Sequence, residues 1–259
     1  MSPPLFRLDK INTMKVIQMK YHLLASLVLV TSPLLVQASE SCSIDPELLG
    51  ATYEMTDSDS NKTATMMLWR QHGRVSNQFT QTGVTDMWEY THNGQLRMVR
   101  FFDKEQHAIE YQPGEVKYAN ADSQWQQVHE LITDKLKNNM TLVSTSGEAC
   151  DKVETYQLTE GDSHLQLEWL PALSLVKSWK NTADGHIQTW QLTKLIKDES
   201  AVNASFKMRD DYQTTDYADI GDSESDPFIA KMINQGYIDH GPSGFYNSEG
   251  EDIGHPHHH

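Results

Sequence analysis

The chain has 259 residues, and its 36 acidic side chains outnumber its 21 Lys and Arg side chains, which gives a formal net charge of −15 at pH 7. Proteins that bind nucleic acid present a basic surface to the phosphates, and attraction to anionic lipid headgroups also needs basic residues. The composition therefore argues against nucleic acid and anionic membrane surfaces as partners.

The first residues have the pattern of a secretory signal peptide. Lys20 gives a basic start, residues 23–36 form an apolar run, and Val36 and Ala38 put small side chains at the −3 and −1 positions of a cleavage site. We therefore expect cleavage near Ala38 and export to the periplasm, with no transmembrane segment in the mature chain. The apolar run is shorter than the roughly 20 residues of a spanning helix, and an uncleaved anchor is the alternative.

Two points about the N-terminus stay open in the sequence. Met1, Met14 and Met19 are alternative start residues. Cys42 follows the predicted cleavage site closely, which raises lipidation as an alternative, although no Leu-x-x-Cys-like run precedes it. In each case we treat residues 1–38 as a leader and signal peptide that does not belong to the folded domain.

Cys42 and Cys150 are the two cysteines of the chain. In an oxidising compartment two cysteines usually pair, and no Cys-x-x-Cys spacing points to a redox centre. The sequence therefore predicts a disulfide between them, with two free thiols as the alternative. The chain-entropy model gives on the order of 4–5 kcal/mol for a bond that closes a loop of about 108 residues.

Residues 63–118 read as a meander of short strands separated by turn residues. Asn93-Gly94 is the strongest hairpin signal because both residues tolerate a positive φ. His72-Gly73 and Pro113-Gly114 are further turn signals. The predicted strands are residues 64–70, 75–80, 85–91, 95–102, 107–111 and 115–118.

Residues 123–140 change to a helical period. The apolar stripe has i, i+3, i+7 and i+11 spacing and consists of Trp125, Val128, Ile132 and Leu136. Ser123 is a suitable N-cap. The pattern predicts one amphipathic helix that covers a sheet.

A second set of strands follows, with turns at Gly161-Asp162 and Asp184-Gly185. The predicted strands are residues 152–159, 164–170, 175–181 and 186–195. Many short antiparallel strands are typical of curved sheets and barrels. We predict a mainly β (α+β) domain over residues 39–197, built as a curved antiparallel sheet or unclosed β-barrel with one covering helix.

The composition changes at Asp198, and residues 198–259 read as an acidic, irregular tail that ends in histidines. One short helix is predicted within it, up to Asn234, because Asp226 suits the N-cap, Pro227 suits the first helical position and Gly236 follows the end. We expect the tail to lie outside the β-rich domain.

Four segments of the second meander carry a resemblance to a known family. They are Leu-Glu-Trp-Leu-Pro at 167–171, Leu-Val-Lys-Ser-Trp at 175–179, Asp-Gly at 184–185 and Thr-Trp-Gln-Leu at 189–192. This stretch resembles the LolA/LolB-like lipoprotein carriers and the related periplasmic sensor RseB, and the pattern extends over residues 63–195. The resemblance implies an unclosed β-barrel whose apolar concave face binds acyl chains or a hydrophobic partner segment.

The same resemblance implies a set of ligand-binding side chains. The candidates for this face are Met66, Leu68, Trp88, Met98, Phe102, Leu165, Leu167 and Trp169. Aromatic and Met side chains at strand spacing are also ordinary core residues. A sheet filled by its own side chains is therefore the alternative.

The C-terminal end carries candidate metal ligands. Neutral imidazole binds Zn, Cu and Ni, and the acidic residues around it add a negative field. The candidate ligands are His240, His255, His257, His258 and His259. A truncated purification tag and a solvated tail are the alternatives.

A second acidic stretch resembles part of a calcium loop. Asp222, Glu224 and Asp226 alternate as in its first half, and Asp216 and Asp219 precede them. Proline and isoleucine stand where the loop needs glycine and glutamate, which excludes an EF-hand. An irregular calcium site and a solvated linker remain as alternatives.

Catalytic motifs of the common hydrolases, metalloproteases and nucleotide-binding enzymes are absent from the sequence. We therefore expect a non-enzymatic periplasmic binding or carrier protein for a hydrophobic ligand or a lipoprotein-like partner. The alternatives are an envelope metal-binding protein that uses the C-terminal tail and a hydrolase with a dispersed site.

Overall fold

The structure is a computed structural model, and it describes residues 41–59, 62–118, 120–223 and 225–238. The predicted signal peptide and the predicted metal ligands His240, His255, His257, His258 and His259 lie outside the described residues, so cleavage and metal binding there stay predictions. Within the described ranges, no helix is both long and apolar enough to cross a membrane.

Within the described residues, the alternating runs of the sequence form one sheet of 12 strands. In chain order the strands are β1 (Leu48–Asp57), β2 (Lys62–Gln71), β3 (Arg74–Phe79), β4 (Val84–Tyr90), β5 (Leu96–Phe102), β6 (His107–Tyr111), β7 (Thr141–Ser146), β8 (Val153–Glu160), β9 (Ser163–Leu170), β10 (Leu175–Ala183), β11 (His186–Ile196) and β12 (Gln213–Asp216). Their order across the sheet is β12-β6-β5-β4-β3-β2-β1-β11-β10-β9-β8-β7, and of these described pairs only β12–β6 is parallel. The predicted mainly β, unclosed sheet is confirmed.

β1 lies between the two meanders, where it pairs with β2 on one side and β11 on the other. This strand is absent from the sequence-based prediction, as are β7 and β12. Residues 115–118, predicted as a strand, are turn and irregular backbone. Within β1 a glycine is required at position 50, because a Cβ there would lie 2.6 Å from ring carbons of Trp69.

The predicted single helix over residues 123–140 is wrong, because the segment forms two helices, α1 (Ala121–His129) and α2 (Asp134–Asn139). Asn120, not Ser123, caps α1: its side chain accepts a hydrogen bond from the Ser123 backbone N at 2.7 Å. Leu131 then adopts a φ of 64°, a left-handed conformation that ends α1. Thr133 caps α2 in turn.

The described part of the acidic segment packs on the sheet, which corrects the expectation that the tail lies outside it. It forms α3 (Glu199–Lys207), the edge strand β12 and α4 (Pro227–Asn234). The prediction for α4 is confirmed, including its Asp226 N-cap, which accepts from the Phe228 and Ile229 backbone N–H groups. α3 was not predicted.

The two faces of the sheet carry separate apolar clusters. On the inner face, side chains from the strands pack against α1, α2 and α4, including Val128, Leu136, Ile229 and Met232. On the outer face a smaller cluster packs against Val202 and Phe206 of α3. In the part of the chain that the structure describes, the predicted single covering helix is therefore replaced by three helices on the inner face and one on the outer face.

One end of the sheet is fixed by a buried arginine, and we call it the Arg70 end. Arg70 is 0% exposed, and its guanidinium donates hydrogen bonds to the backbone carbonyls of His129, Pro46, Leu173 and Ser174. Burial lowers the pKa of Arg70 to about 10, so the group stays charged at neutral pH. One side chain thus joins the N-terminal segment, α1 and the β9–β10 turn to β2.

The predicted disulfide between Cys42 and Cys150 is confirmed, with a Cα–Cα distance of 4.5 Å across 108 residues of sequence. It joins the segment that precedes β1 to the short 3-10 helix before β8. Together with Arg70, it holds the N-terminal segment against the second meander.

Candidate hydrophobic ligand site

The predicted ligand-binding side chains lie together on the inner face, but they are buried there. Their exposed fractions range from 0% for Leu68 and Leu167 to 9% for Leu165. The full set, Met66, Leu68, Trp88, Met98, Phe102, Leu165, Leu167 and Trp169, belongs to a single apolar cluster. In this structure they form the core of the protein, and direct contact between them and a ligand remains a prediction.

Helices and the C-terminal segment cover part of this cluster. The rings of Phe228 and Tyr237 lie edge-on to Phe102, with centroids 5.4 and 6.0 Å away. The ammonium group of Lys137 in α2 lies 4.4 Å from the centroid of the Trp169 ring. A ligand would have to displace these elements to reach the side chains below them.

Apolar side chains at the opposite end of the strands keep part of their surface in solvent. The rings of Trp179 and Trp190 pair across β10 and β11 with centroids 5.4 Å apart, and Met55 is the register partner of Trp190 on β1. Leu158 on β8 also packs on the same cluster and is half-buried. We call these four residues, Met55, Leu158, Trp179 and Trp190, the aromatic strip.

The aromatic strip was not predicted as a binding site, although its signal is present in the sequence. Trp179 and Trp190 flank the Asp184-Gly185 turn at positions that face each other once the hairpin register is counted out from the turn. Residues directly opposite each other on neighbouring antiparallel strands have their Cβ atoms close together on one face of the sheet. Counting the register of this hairpin would have identified the pair.

The aromatic strip ends at a polar group around His186, and we call this end of the sheet the His186 end. The His186 Nε2 lies 3.2 Å from Asp57 Oδ2, and its Nδ1 lies 2.8 Å from Asp59 Oδ1. The hydrogen bond to Asp59 and the charges of both carboxylates raise the pKa of His186. Gln188 donates from Nε2 to Asp57 at 3.1 Å. The aromatic strip thus borders a cluster of polar side chains around His186.

This polar group does not have the arrangement of a hydrolytic triad. Ser58 Oγ lies 3.4 Å from His186 Nδ1, but that nitrogen already has Asp59 as a closer partner, and the other nitrogen faces Asp57. A general base needs a free nitrogen lone pair to accept the serine proton. The cluster therefore does not favour a hydrolase.

A small cavity lies on the opposite, outer face, between the sheet and α3. Its lining includes Arg74, Ser76, Phe206 and Arg209, and its volume is about 30 Å³. The Ser76 hydroxyl is buried there and has no hydrogen-bond partner among the described residues. A cavity of this size has room for water but not for an alkyl chain, so the outer face is not the candidate ligand site.

The structure brings no candidate metal ligands together within the residues it describes, where no group of three or more His, Cys, Asp or Glu side chains is placed to hold an ion. In the calcium-like stretch, Asp216 Oδ1 accepts from the Ala218 backbone N at 3.1 Å, and Asp226 caps α4. Glu224 and the predicted ligands His240, His255, His257, His258 and His259 lie outside the described residues.

His107 connects the sheet to the C-terminal segment. Its Nε2 lies 2.8 Å from Thr215 Oγ1 in β12, and its ring stacks on Phe228 of α4 at a centroid distance of 3.9 Å. Burial lowers the pKa of His107, and the nearby Asp226 carboxylate partly opposes this. The neutral imidazole is therefore the form that this packing favours.

Acid is expected to loosen α4 through His107. Because the folded-state pKa is lowered, the stability from this group is complete above the ordinary histidine pKa of about 6.5 and is lost progressively as the pH falls toward the lower folded-state value. Amide exchange in residues 225–238, corrected for the intrinsic rate, should rise between about pH 7 and about pH 5 in the wild type. It should rise less in His107→Gln, which keeps a hydrogen-bonding group but does not titrate. An equal rise in both proteins would contradict this role.

No protein-family model matches the chain, and no curated protein matches it. Among solved structures, PNGF-II is similar over 65% of this chain and 30% of its own, with 9% identity and a TM-score of 0.36. MucB from Pseudomonas aeruginosa, solved with MucA, is similar over 60% of this chain and 54% of its own, with 15% identity and a TM-score of 0.31.

A putative outer membrane lipoprotein-sorting protein domain from Vibrio parahaemolyticus is similar over 62% of this chain and 91% of its own, with 10% identity and a TM-score of 0.29. This chain thus spans about a third of PNGF-II and about half of MucB. The predicted resemblance to LolA/LolB-like and RseB-related proteins is confirmed as a weak one. At these scores and identities it carries no argument about function.

Proposed function

We propose that this chain is an exported, non-catalytic binding or carrier protein for a hydrophobic ligand, and that the ligand contacts the aromatic strip. The observation that carries the proposal is the half-buried Trp179–Trp190 pair, which continues the buried apolar cluster into solvent. Small-molecule sites are mostly lined by apolar and aromatic side chains, with a few polar groups that orient the ligand. The strip and the polar group around His186 have this composition.

Export to the periplasm is part of the proposal. The disulfide between Cys42 and Cys150 supports it, because such bonds persist in oxidising compartments and are rare in the bacterial cytosol. Metal binding by the His-ended tail remains a prediction from the sequence, and no contact among the described residues favours it.

Binding of a neutral alkyl probe tests this function. Dodecyl maltoside, titrated below its micelle concentration and followed by calorimetry, is expected to bind saturably at the strip. Trp190→Ala should weaken binding about tenfold, which corresponds to roughly 1.4 kcal/mol or on the order of 55 Å² of lost apolar contact. Trp190→Phe should retain most of the affinity.

Met208→Ala is the matched control, because Met208 is 53% exposed and follows α3 on the other face of the sheet. It should bind the probe like the wild type. Unfolding in urea shows whether each variant keeps its fold. The absence of saturable binding to the wild type, or equal affinities of the folded Trp190→Ala and Met208→Ala variants, would contradict the proposal.

A further inference from the structure

We propose that the ligand of the aromatic strip is a cationic amphiphile, an apolar chain that carries one positively charged end. This inference rests on the proposed function, since it specifies what binds to the same strip. Its evidence is the distribution of charge around the strip, which differs between the two ends of the strands.

Carboxylates surround the His186 end of the strip. The β1–β2, β8–β9 and β10–β11 connections all lie at this end, because the strands that they join are antiparallel neighbours. The acidic rim that they form consists of Asp57, Asp59, Glu160, Asp162 and Asp184. Lys62 and His186, the first residues of β2 and β11, oppose this charge.

Much of the negative charge in the acidic rim is not neutralised by protein cations. His186 lies between Asp57 and Asp59 and compensates part of their charge. Glu160, Asp162 and Asp184 are exposed, and they form no ion pair within the part of the chain that the structure describes. An incoming positive charge would therefore gain attraction here without breaking an existing pair.

Two cations on the other side of the strip already have carboxylate partners. Lys137, above Trp169, pairs with Asp134 at 3.2 Å, and Lys152 pairs with Glu154 at 3.0 Å. A ligand that lies along the strip would therefore place a positive end toward the acidic rim. A negatively charged end would be repelled by the acidic rim. At the other side it would have to compete with the carboxylates that already pair with Lys137 and Lys152.

The tryptophan rings favour the same ligand. The face of an indole ring attracts ammonium and guanidinium groups. Trp179 and Trp190 thus provide apolar contact for a chain and an electrostatic contribution for a cation beside it. Apolar contact with the aromatic strip would bind any alkyl chain. The acidic rim and the indole faces would add a preference for a chain with a positively charged end.

Three probes with the same alkyl chain test this preference. Dodecyltrimethylammonium, dodecyl maltoside and dodecyl sulfate are titrated separately below their micelle concentrations at low salt. The cationic probe should bind about tenfold more tightly than the anionic probe, as expected for a few exposed charge contacts, and the neutral probe should lie between them. The difference should shrink in about 0.5 M salt because of screening.

A rim variant locates the charges responsible. Asp162→Asn with Asp184→Asn removes two exposed charges while keeping residues that suit turns, and it should weaken binding of the cationic probe about threefold to tenfold. Its affinity for dodecyl maltoside should not change. Glu199→Gln with Asp211→Asn, which removes two exposed charges around α3, is the control and should not alter either affinity.

The outcomes separate this inference from the proposed function. If no probe binds saturably, the proposed function fails, and this inference fails with it. If the three probes bind equally, or if the rim variant and its control behave alike, the preference for a cation is overturned while hydrophobic binding stands. A charge preference that is lost only in the rim variant supports both.

Discussion

Replacing Arg70 with methionine is expected to lower the free energy of unfolding by roughly 3–5 kcal/mol. The guanidinium is fully buried and satisfies carbonyl groups from four residues, His129, Pro46, Leu173 and Ser174. Methionine fills a similar volume but donates no hydrogen bond. The carbonyls would lose their partners in a site that water does not reach, and each unsatisfied buried group costs about 1–3 kcal/mol.

Urea unfolding of the oxidised protein, followed by circular dichroism, measures this effect. Arg97→Met is the matched control, because Arg97 forms ion pairs with Glu89 and Glu110 on a partly exposed face. Exposed pairs contribute about 0.2–1 kcal/mol each, so this control should be much milder. Equal losses in the two variants would contradict the role assigned to Arg70.

Removing the disulfide is expected to be similarly severe. The double variant Cys42→Ser with Cys150→Ser should lose about 2–5 kcal/mol, because the bond restricts a loop of 108 residues in the unfolded chain. The urea midpoint of this variant should match the midpoint of the wild type measured with its disulfide reduced. A midpoint equal to that of the oxidised wild type would show that the bond does not stabilise the fold.

Features governed by neighbouring residues could be predicted from the sequence. The helix α4 has its N-cap at Asp226, its proline at the first position and its glycine after the end, and all three act within a few residues. The Asp184-Gly185 turn depends on the positive φ of both residues, 52° and 80°. The pairing of the two cysteines follows from their number and from the oxidising compartment that the predicted signal peptide indicates.

Features that depend on distant packing could not be predicted in the same way. The break between α1 and α2 occurs at Leu131, which has a positive φ without a glycine or proline nearby to indicate it. The acidic composition of residues 198–238 obscured α3, although Val202 and Phe206 have the i, i+4 spacing of a buried helix face. In β1 the alternation of Leu49, Ala51 and Tyr53 was available, and its central position depends on its pairing with β11.

The candidate site likewise combines features that neighbouring residues determine with features that depend on distant packing. Strand alternation identified side chains that share the inner face, and Met66, Phe102 and Leu167 are indeed together there. Alternation does not say which of them a helix will cover, because that depends on where α2 and α4 return to the sheet. Phe102 lies more than 100 residues before Phe228 in the chain, yet the two rings are in contact. The hairpin register alone indicates the pairing of Trp179 with Trp190, whereas their partial exposure became apparent only from the assembled sheet.

Fluorine NMR of the protein labelled with 5-fluorotryptophan tests the proposed site most directly. The chain has six tryptophans, and each signal can be assigned by a Trp→Phe substitution. Binding of an alkyl probe at the aromatic strip predicts that the signals of Trp179 and Trp190 shift in a saturable way, while that of Trp69 on the outer face stays unchanged. Saturable shifts confined to other tryptophans, or no shift at all, would contradict binding at the strip.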